Sequence, residues 1–439
     1  MKRDKSGKMI ESIKVAYFVV NEDLYSPLLR RQVVELLQDI KKRSDTVDIT
    51  IFLFQSLTAL VSKRRRIKYL HNELKKTGIN FVVLPNICPW PVPNFSFRKT
   101  DVGWRPNGVW NRWAARFFSV YAQLFMIPIF LIGNFDIFHC RSYPASFAAM
   151  VTKKLFPRLK LLFDPRSDFP EESVVAGRWQ THSKDFHFWK NQEKNLLETS
   201  DAVACISHAY VDHFKVNSKQ FSYFIAPNNV RTSFFKRSLE EREIKRKNLG
   251  FRDTDVVFAY LGGMTKSGWH RPEFYKTFFC LVKNEIPGAK LLMLIPEHAK
   301  VFTKEIFSDV EGVAIVSPKF FEVSDWLSAA DFGLMFMRKR RLAVGTKIGE
   351  YLSASLPIIS NPNSIGTCQF LEQYPDAGAV VGLGLGDLDN VVDFSSLANP
   401  ELQMPEKKTE KFRRIGEKVF DNFVIAEQYI KTYNNFNVL

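Results

Sequence analysis

The sequence predicts an α/β protein with two doubly wound parallel-sheet domains that face each other across a cleft. Short apolar runs alternate with longer helical patterns along the chain, and about six such runs fall in each half. The runs are apolar throughout rather than at alternate positions, which is typical of parallel strands covered by helices on both faces. The length of 439 residues fits two or three domains.

The predicted strands of the first half are IKVAYFVV (13–20), VDITIFLF (47–54), INFVVLP (79–85), DIFHCRS (136–142), KLLFDPR (160–166) and DAVACIS (201–207). Those of the second half are VVFAYLGG (256–263), AKLLMLIP (289–296), GVAIVSP (312–318), FGLMFM (332–337), LPIIS (356–360) and GAVVG (378–382). Turn residues in APNNVRTSFF (226–235) mark the boundary. We therefore predict an N-terminal domain over 1–228, a C-terminal domain over 236–405 and a final helical segment over 406–439.

The composition indicates a folded chain with anionic partners. Hydrophobic residues make up 46% of the sequence and the formal net charge is +16. Nucleic acid, an anionic membrane surface and phosphate-bearing small molecules all suit this charge. The five cysteines are scattered without metal-ligand or redox spacing, and the first residues lack the apolar core of a secretory signal. A cytoplasmic location is expected.

One apolar segment raises the question of membrane contact. FFSVYAQLFMIPIFLI (117–132) is 16 residues long and contains Gln123 and Pro128. A membrane-spanning helix needs about 20 apolar residues, so a buried core helix is favoured. Arg112, Trp113 and Arg116 precede the segment, which keeps a helix lying on a membrane surface as the alternative.

The stretch VGTKIGEYLSASLPIIS (344–360) contains a candidate nucleotide site. Thr346 is placed to cap a helix, whose free N–H groups and partial positive charge attract anions. Lys347 adds a full charge, and the Glu350 carboxylate can accept hydrogen bonds from a ribose diol. A plain structural role, with Glu350 complementing the helix dipole, is an equal alternative from these residues alone.

Several motifs in order resemble retaining glycosyltransferases of family 4, which have the GT-B fold. They include DIFHCRSYPA, LLFDPRSDFPEESVVAGRW, ETSDAVACISHAYVDHF, VFAYLGGMTKSGW, VSDWLSAADFGLMFM and TKIGEYLSASLPIIS, and the resemblance covers about residues 13–435. It is strongest toward bacterial surface-polysaccharide members. It implies a GT-B architecture and a C-terminal helix that packs back on the N-terminal domain. It also implies a nucleoside-diphosphate sugar donor and neither cofactor nor metal. The Asp-x-Asp in RDTD (252–255) precedes a strand and is predicted to form a turn.

The resemblance assigns the donor to the C-terminal domain and the acceptor to the N-terminal domain. Many family members have two glutamates eight positions apart, and Leu342 stands here where the first would be. The predicted nucleotide-sugar-binding residues are Gly262, Gly263, Lys266, Thr346, Lys347 and Glu350. The predicted catalytic residues are His139, Arg166 and Glu171, and the predicted acceptor-binding residues are Arg141, Asp164 and Glu172. All of them follow or end predicted strands, where ligands bind in open α/β sheets.

The favoured function is a retaining, metal-independent glycosyltransferase of surface-polysaccharide synthesis. Its partners would be a nucleotide sugar and a saccharide or lipid-linked acceptor, with possible contact with the anionic inner face of the cell membrane. A nucleotide-sugar epimerase of the same fold is the first alternative. A non-enzymatic basic binding protein is the second, although no nucleic-acid-binding module is present in the sequence.

Overall fold

A computed structural model describes residues 12–88, 110–264, 269–337, 341–382 and 410–436 in full, and the backbone alone of 2–3, 9–10, 97–100, 103–106 and 405–409. The predicted residue Lys266 lies outside these ranges. The chain divides into two compact units. The first comprises Met1–Pro227 with Ile425–Leu439, and the second comprises Asn228–Val424.

The first unit contains a seven-stranded, wholly parallel sheet. Its strands are β1 (Ile13–Val20), β2 (Val47–Ser56), β3 (Asn80–Asn86), β4 (Ile137–Arg141), β5 (Lys160–Asp164), β6 (Ala202–Cys205) and β7 (Tyr223–Ile225). Their order is β7-β6-β5-β4-β1-β2-β3. Seven of the eight residues of β1 are buried, which suits a strand flanked on both sides. The six predicted strands are confirmed, and β7 was not predicted.

The second unit contains a six-stranded parallel sheet. Its strands are β8 (Val256–Leu261), β9 (Ala289–Leu294), β10 (Val313–Val316), β11 (Phe332–Met335), β12 (Ile358–Ser360) and β13 (Gly378–Val380). Their order is β10-β9-β8-β11-β12-β13. This is the doubly wound order, with a topological switch point between β8 and β11. The predicted α/β fold class with two parallel sheets is therefore confirmed.

Helices connect the strands in both units. Those of the first unit are α1 (Leu36–Arg43), α2 (Leu57–Ser62), α3 (Arg64–Lys76), α4 (Arg112–Tyr121), α5 (Gln123–Gly133), α6 (Ser142–Leu155), α7 (Phe169–Val175), α8 (Lys184–Thr199) and α9 (His208–Asn217). Those of the second unit are α10 (Leu239–Leu249), α11 (Pro272–Glu285), α12 (Glu297–Ile306), α13 (Val323–Ser328), α14 (Thr346–Ser353) and α15 (Ile365–Gln373). Pro27–Leu29 and a π-helical turn, Arg30–Glu35, precede α1.

The C-terminal segment forms two helices where the sequence suggests one. They are α16 (Pro405–Phe420) and α17 (Asn422–Phe436), and between them Asp421 forms a parallel bridge with Val230. The α16 helix packs on the second unit, where the Arg413 side chain donates to the Ser353 carbonyl at 2.9 Å. From Ile425 onward, α17 is part of the first unit, and its buried face joins that unit's core.

The stretch formed by α4 and α5 is buried on one face only. It is 22 residues long, apolar enough by length and composition to cross a membrane, and 33% of its most apolar window is buried. Phe118, Met126 and Phe130 point into the first unit, whereas Val120 and Leu124 are exposed. The prediction of a buried core helix is therefore correct for one face and wrong for the other.

Candidate functional site

Most of the predicted site residues that the structure describes lie at or after the carboxyl ends of strands, near the switch point of each sheet. In the second unit, Gly262 and Gly263 follow β8, and α14 follows β11 beside it. In the first unit, His139 and Arg141 lie on β4, next to β1 and β5. Crevices at such switch points are the usual ligand sites of doubly wound sheets.

The turn after β8 lies against Lys347 of α14. Gly262 has a φ of +124°, and a Cβ atom there would lie 2.6 Å from Lys347 Cε. The Lys347 ammonium lies 5.4 Å from the centroid of the Tyr260 ring, and the Tyr260 hydroxyl donates to the Gly263 carbonyl at 2.8 Å. The fold thus joins two stretches that are distant in sequence into one cationic cluster.

His270 holds the ammonium of Lys347. Lys347 Nζ lies 2.9 Å from His270 Nε2, and His270 Nδ1 lies 3.0 Å from the Phe336 carbonyl oxygen. A carbonyl can only accept, so Nδ1 carries the proton and Nε2 accepts from Lys347. Burial, together with the charge on Lys347, holds the pKa of His270 well below its usual value. The imidazole is therefore neutral.

Burial also lowers the pKa of Lys347, to about 8. The Glu350 charge acts in the opposite direction but does not cancel this effect. Within the described residues, His270 is the hydrogen-bond partner of Lys347, so two of its three N–H groups remain for a ligand. A bound diphosphate would stabilise the ammonium and raise its pKa.

The helix α14 differs in detail from the sequence prediction. Its N-cap is Gly345, and Thr346 is the first helical residue, so the prediction of Thr346 as a cap is wrong. Gly349 faces protein rather than a ligand, since a Cβ there would lie 2.7 Å from Val230 Cγ2 and 2.9 Å from Phe420 Cβ. Glu350 lies one turn into the helix and is 5% exposed. Leu342 is buried.

In the first unit, three predicted residues form one buried polar network, and Arg141 lies beside it. His139 Nε2 lies 3.3 Å from Asp164 Oδ2, and Arg166 Nε lies 2.9 Å from Asp164 Oδ1. Burial opposes the charge of Asp164, but Arg166 prevails and lowers the pKa of that carboxyl to about 2. Arg141 pairs in register with Asp164 across β4 and β5, and its Nε donates to Glu22 at 2.6 Å.

The helix α17 contributes two tyrosines to this network. The Tyr433 hydroxyl and His139 Nδ1 are 2.7 Å apart, and the Tyr429 ring stacks on the imidazole at 5.2 Å. The Tyr429 hydroxyl also donates to Asp164 at 3.2 Å. Burial lowers the pKa of His139, and its side chain is fully buried. As placed, both imidazole nitrogens are engaged with protein.

Three donors beside this network have no hydrogen-bond partner among the described residues. They are Arg141 Nη1, Arg166 Nη1 and the Tyr17 hydroxyl, and all are buried. The Tyr17 ring lies 4.3 Å from the His139 ring, and Tyr17 interacts electrostatically with both guanidiniums. Buried polar atoms are nearly always paired in native proteins, so three orphans in one place indicate a missing partner.

Glu171 belongs to a separate cluster of charged residues. Lys190 Nζ lies 2.8 Å from Glu171 and 2.5 Å from Glu193, and His213 Nε2 is 3.6 Å from Glu171. The ligand atoms of Glu171, Glu193 and His213 all lie within 4.8 Å of one another, but the Lys190 ammonium already bridges the two carboxylates. Glu172 is the neighbouring residue on α7 and is half-buried. The structure does not join these two glutamates to His139.

Among the residues of the two networks that escaped the sequence analysis are His270, Tyr429 and Tyr433. His270 lies in the segment between β8 and α11, the ligand side of the sheet, so its position was a usable signal. Its neighbour Trp269 stacks with Arg341, whose guanidinium lies 4.4 Å from the ring centroid. The tyrosines lie on a helix far along the chain, and no local pattern links them to His139.

The family comparison agrees with the resemblance seen in the motifs. Residues 64–218 match the family model described as Glycosyltransferase Family 4. A search of curated proteins gave no match. The segment matched contains His139, Arg141, Asp164, Arg166 and Glu171.

The whole chain has the fold of GT-B glycosyltransferases. It is similar to a glycosyltransferase from Rickettsia africae ESF-5 with a TM-score of 0.66 and 13% identity, covering 98% of this chain and 99% of that one. It is similar to Anabaena HepE in complex with UDP and glucose, with a TM-score of 0.58 and 13% identity, covering 96% of this chain and 99% of that one. It is also similar to WaaG, a glycosyltransferase involved in lipopolysaccharide biosynthesis, with a TM-score of 0.57 and 12% identity, covering 95% of this chain and 99% of that one. The family model matches part of the first unit, and the whole chain has the GT-B fold.

Proposed function

We propose that the protein transfers a sugar from a nucleoside-diphosphate sugar to a saccharide or lipid-linked acceptor, with retention of configuration and without a metal ion. The observation that carries this proposal is the cluster of Gly262, Lys347 and His270 at the switch point of the second sheet. It offers an ammonium with two N–H groups that have no partner among the described residues, beside a glycine turn that admits close approach of phosphate.

Glu350 completes the proposed donor site. It lies one turn beyond the start of α14, so its carboxylate can accept hydrogen bonds from ribose hydroxyls while the helix start faces the diphosphate. Thr346 and Gly263 supply further polar contacts. Lys266 is proposed as a second cation for the diphosphate on the strength of its place in the sequence.

The chemistry would be positioning and electrostatic stabilisation. An acceptor hydroxyl bonds to the anomeric carbon on the face from which the diphosphate departs, and its proton passes to the departing diphosphate oxygen. Lys347 stabilises the negative charge that develops on that diphosphate. A neutral His270 keeps the ammonium in place without adding a competing charge.

The orphan donors of the first unit support an anionic acceptor. Arg141, Arg166 and Tyr17 together offer three unused N–H or O–H groups, a set that matches a phosphate or carboxylate. We infer that Asp164 holds Arg166 for this role, and that His139 positions the same network. Glu171 and Glu172 are retained as candidates for contacts with the acceptor sugar.

Related GT-B structures come from lipopolysaccharide biosynthesis, which favours a polysaccharide or lipid-linked acceptor. We propose a cytoplasmic protein that works at the inner face of the cell membrane. The net charge of +16 suits such a surface.

The test is calorimetric titration of the purified protein with UDP, GDP and ADP. We expect one nucleotide to bind and Glu350→Ala to weaken its affinity by about 5- to 150-fold, since a buried carboxylate that accepts two hydroxyls contributes about 1–3 kcal/mol. Glu311→Ala is the matched control, because that side chain is 96% exposed. Equal affinities in wild type and Glu350→Ala would refute the donor site.

Turnover separates the remaining alternatives. Incubation of the nucleotide sugar that binds with a lipid-linked saccharide acceptor should release nucleoside diphosphate only when the acceptor is present. Conversion of the sugar without acceptor would instead indicate an epimerase. No nucleotide binding together with salt-sensitive binding to random DNA would favour the basic binding protein.

A further inference from the structure

The helices α4 and α5 carry an exposed apolar stripe that has no protein partner among the described residues. Its members are Trp113 (49% exposed), Phe117 (42%), Val120 (73%), Leu124 (69%), Leu131 (49%) and Ile132 (82%), with Pro128 also exposed. Positions 113, 117, 120, 124, 128 and 131 recur with the helical period, so the side chains line one face. Isolated exposed apolar residues need no explanation, but a continuous stripe does.

The opposite face of the two helices is fixed to the first unit. Ala114, Phe118 and Met126 are fully buried. Gln123 donates to the Ala148 carbonyl of α6 at 3.0 Å and accepts from the Thr152 hydroxyl at 2.7 Å. These contacts exclude a spanning helix in the folded unit, because a spanning helix would lose them to lipid. The helices lie along the unit with one face outward.

Basic residues flank the stripe at both ends. The Arg112 and Arg116 guanidiniums each lie 5.5 Å from the Trp113 ring centroid, and Arg112 also approaches Asp185 at 3.6 Å. At the other end lies the exposed Arg158, whose guanidinium is 5.1 Å from the ring of Phe130, a residue of the buried face. Residues 112–133 and the neighbouring α6 contain no Asp or Glu. The surface is therefore apolar along its length and cationic at its ends.

We infer that this stripe docks the first unit on an anionic phospholipid bilayer, with the apolar side chains in the interface and the arginines on lipid headgroups. Such a combination of an apolar face and flanking cations is what interfacial helices use. A second copy of the chain fits less well. Self-pairing of this face would place arginines against arginines in either orientation, with no carboxylate on these helices to compensate.

The inference rests on the proposed function and deepens it, since the stripe would contact the membrane that holds a lipid-linked acceptor. Its test needs neither donor nor acceptor. Purified full-length protein is sedimented with vesicles of phosphatidylcholine plus phosphatidylglycerol, and with vesicles of phosphatidylcholine alone. We expect binding to the anionic vesicles that weakens as salt is raised. Trp113→Phe should remove part of the blue shift of tryptophan fluorescence that accompanies binding.

The variant Val120→Ser/Leu124→Ser should partition at least about tenfold more weakly, because two apolar side chains no longer leave water. The controls are Val216→Ser and Val301→Ser, whose wild-type side chains are 84% and 70% exposed elsewhere. All variants should unfold at the wild-type temperature, since the changed side chains are exposed. Arg116→Gln/Arg158→Gln should reduce the preference for anionic vesicles.

Three results would overturn the inference: no vesicle binding by the wild type, equal binding by the stripe variant and the controls, or a dimer in light scattering that the stripe variant dissolves. The last result would assign the stripe to a second copy. Loss of nucleotide binding in Glu350→Ala is independent of all three, so failure of one proposal leaves the other standing.

Discussion

Lys347 and His270 are 77 positions apart in sequence, yet their side-chain nitrogens lie 2.9 Å from each other. The imidazole accepts from the ammonium because its other nitrogen donates to the Phe336 carbonyl. This relationship fixes a cation beside the turn after β8 while leaving part of its hydrogen-bonding capacity unused. A cation held in this way is what binding of a diphosphate requires.

The first prediction concerns pH. The pKa of Lys347 in the free protein is about 8, so its ammonium is lost as pH rises through that value. Affinity for the nucleoside diphosphate should fall about tenfold between pH 7 and pH 9, and binding above pH 8 should take up a proton. Calorimetry in buffers of different ionisation enthalpy measures this uptake. In Lys347→Met the nucleotide affinity should be low and independent of pH. If affinity fell with pH as steeply as in the wild type, Lys347 would not be the titrating group.

The lowered pKa of Lys347 also makes stability depend on pH, but stability should rise with pH where nucleotide affinity falls. The unfolded chain keeps the Lys347 proton up to the ordinary lysine value, whereas the folded chain releases it above about pH 8. The contribution of Lys347 to the free energy of unfolding should therefore rise with pH between these values. Urea denaturation across this pH range should show that the free energy of unfolding rises more steeply with pH in the wild type than in Lys347→Met. Equal slopes in the two proteins would contradict the prediction.

A pair of glycine substitutions should separate packing from binding. Gly349→Ala should lower the free energy of unfolding by about 1–3 kcal/mol, because the new methyl group meets Val230 and Phe420. Gly263→Ala should leave stability unchanged, since no atom of the described residues lies within 4 Å of its Cβ position, but should weaken nucleotide binding. Thermal unfolding and nucleotide titration of both variants test this. A stable Gly349→Ala variant would be contrary to the packing described.

Tyr17→Phe should be neutral or slightly stabilising in the absence of ligand. Its hydroxyl is buried without a hydrogen-bond partner among the described residues, so removing it relieves an unpaired polar group and should raise the free energy of unfolding by at most about 1 kcal/mol. The same change should raise the KM for an anionic acceptor and leave nucleotide affinity unaltered. If the variant lost stability and kept its acceptor KM, the hydroxyl would have a structural partner instead of a ligand.

Asp331 should be essential for folding of the second unit. It accepts from Arg246 at 2.7 Å, from Arg242 at 2.8 Å and from the backbone of Val257 at 2.8 Å. Arg246 is 1% exposed, so Asp331→Ala leaves a buried charge unpaired and should cost about 3–5 kcal/mol. The exposed pair of Arg414 and Glu410 is the control: Arg414→Ala should change the free energy of unfolding by less than about 0.5 kcal/mol.

The strands were predictable because their signal is local. Continuous apolar runs bounded by turns mark parallel strands, and every run assigned on that basis is a strand in the structure. Missing from the prediction was Tyr223–Ile225, whose residues are only partly buried or exposed and therefore lack such a run. The position of polar residues at the ligand-binding edge of each sheet was equally predictable, because strand direction alone decides where the carboxyl end of a strand lies.

What the sequence by itself determined is thus nearly all the strands of the two sheets, the fold class and the strand ends from which polar residues project. Only the tertiary structure decided which distant residues meet: His270 with Lys347, and Tyr433 with His139. It also decided that residues 112–133 bury one face and expose the other. The reason is physical: a local pattern states how apolar a segment is, whereas partners and exposed faces depend on what packs against it.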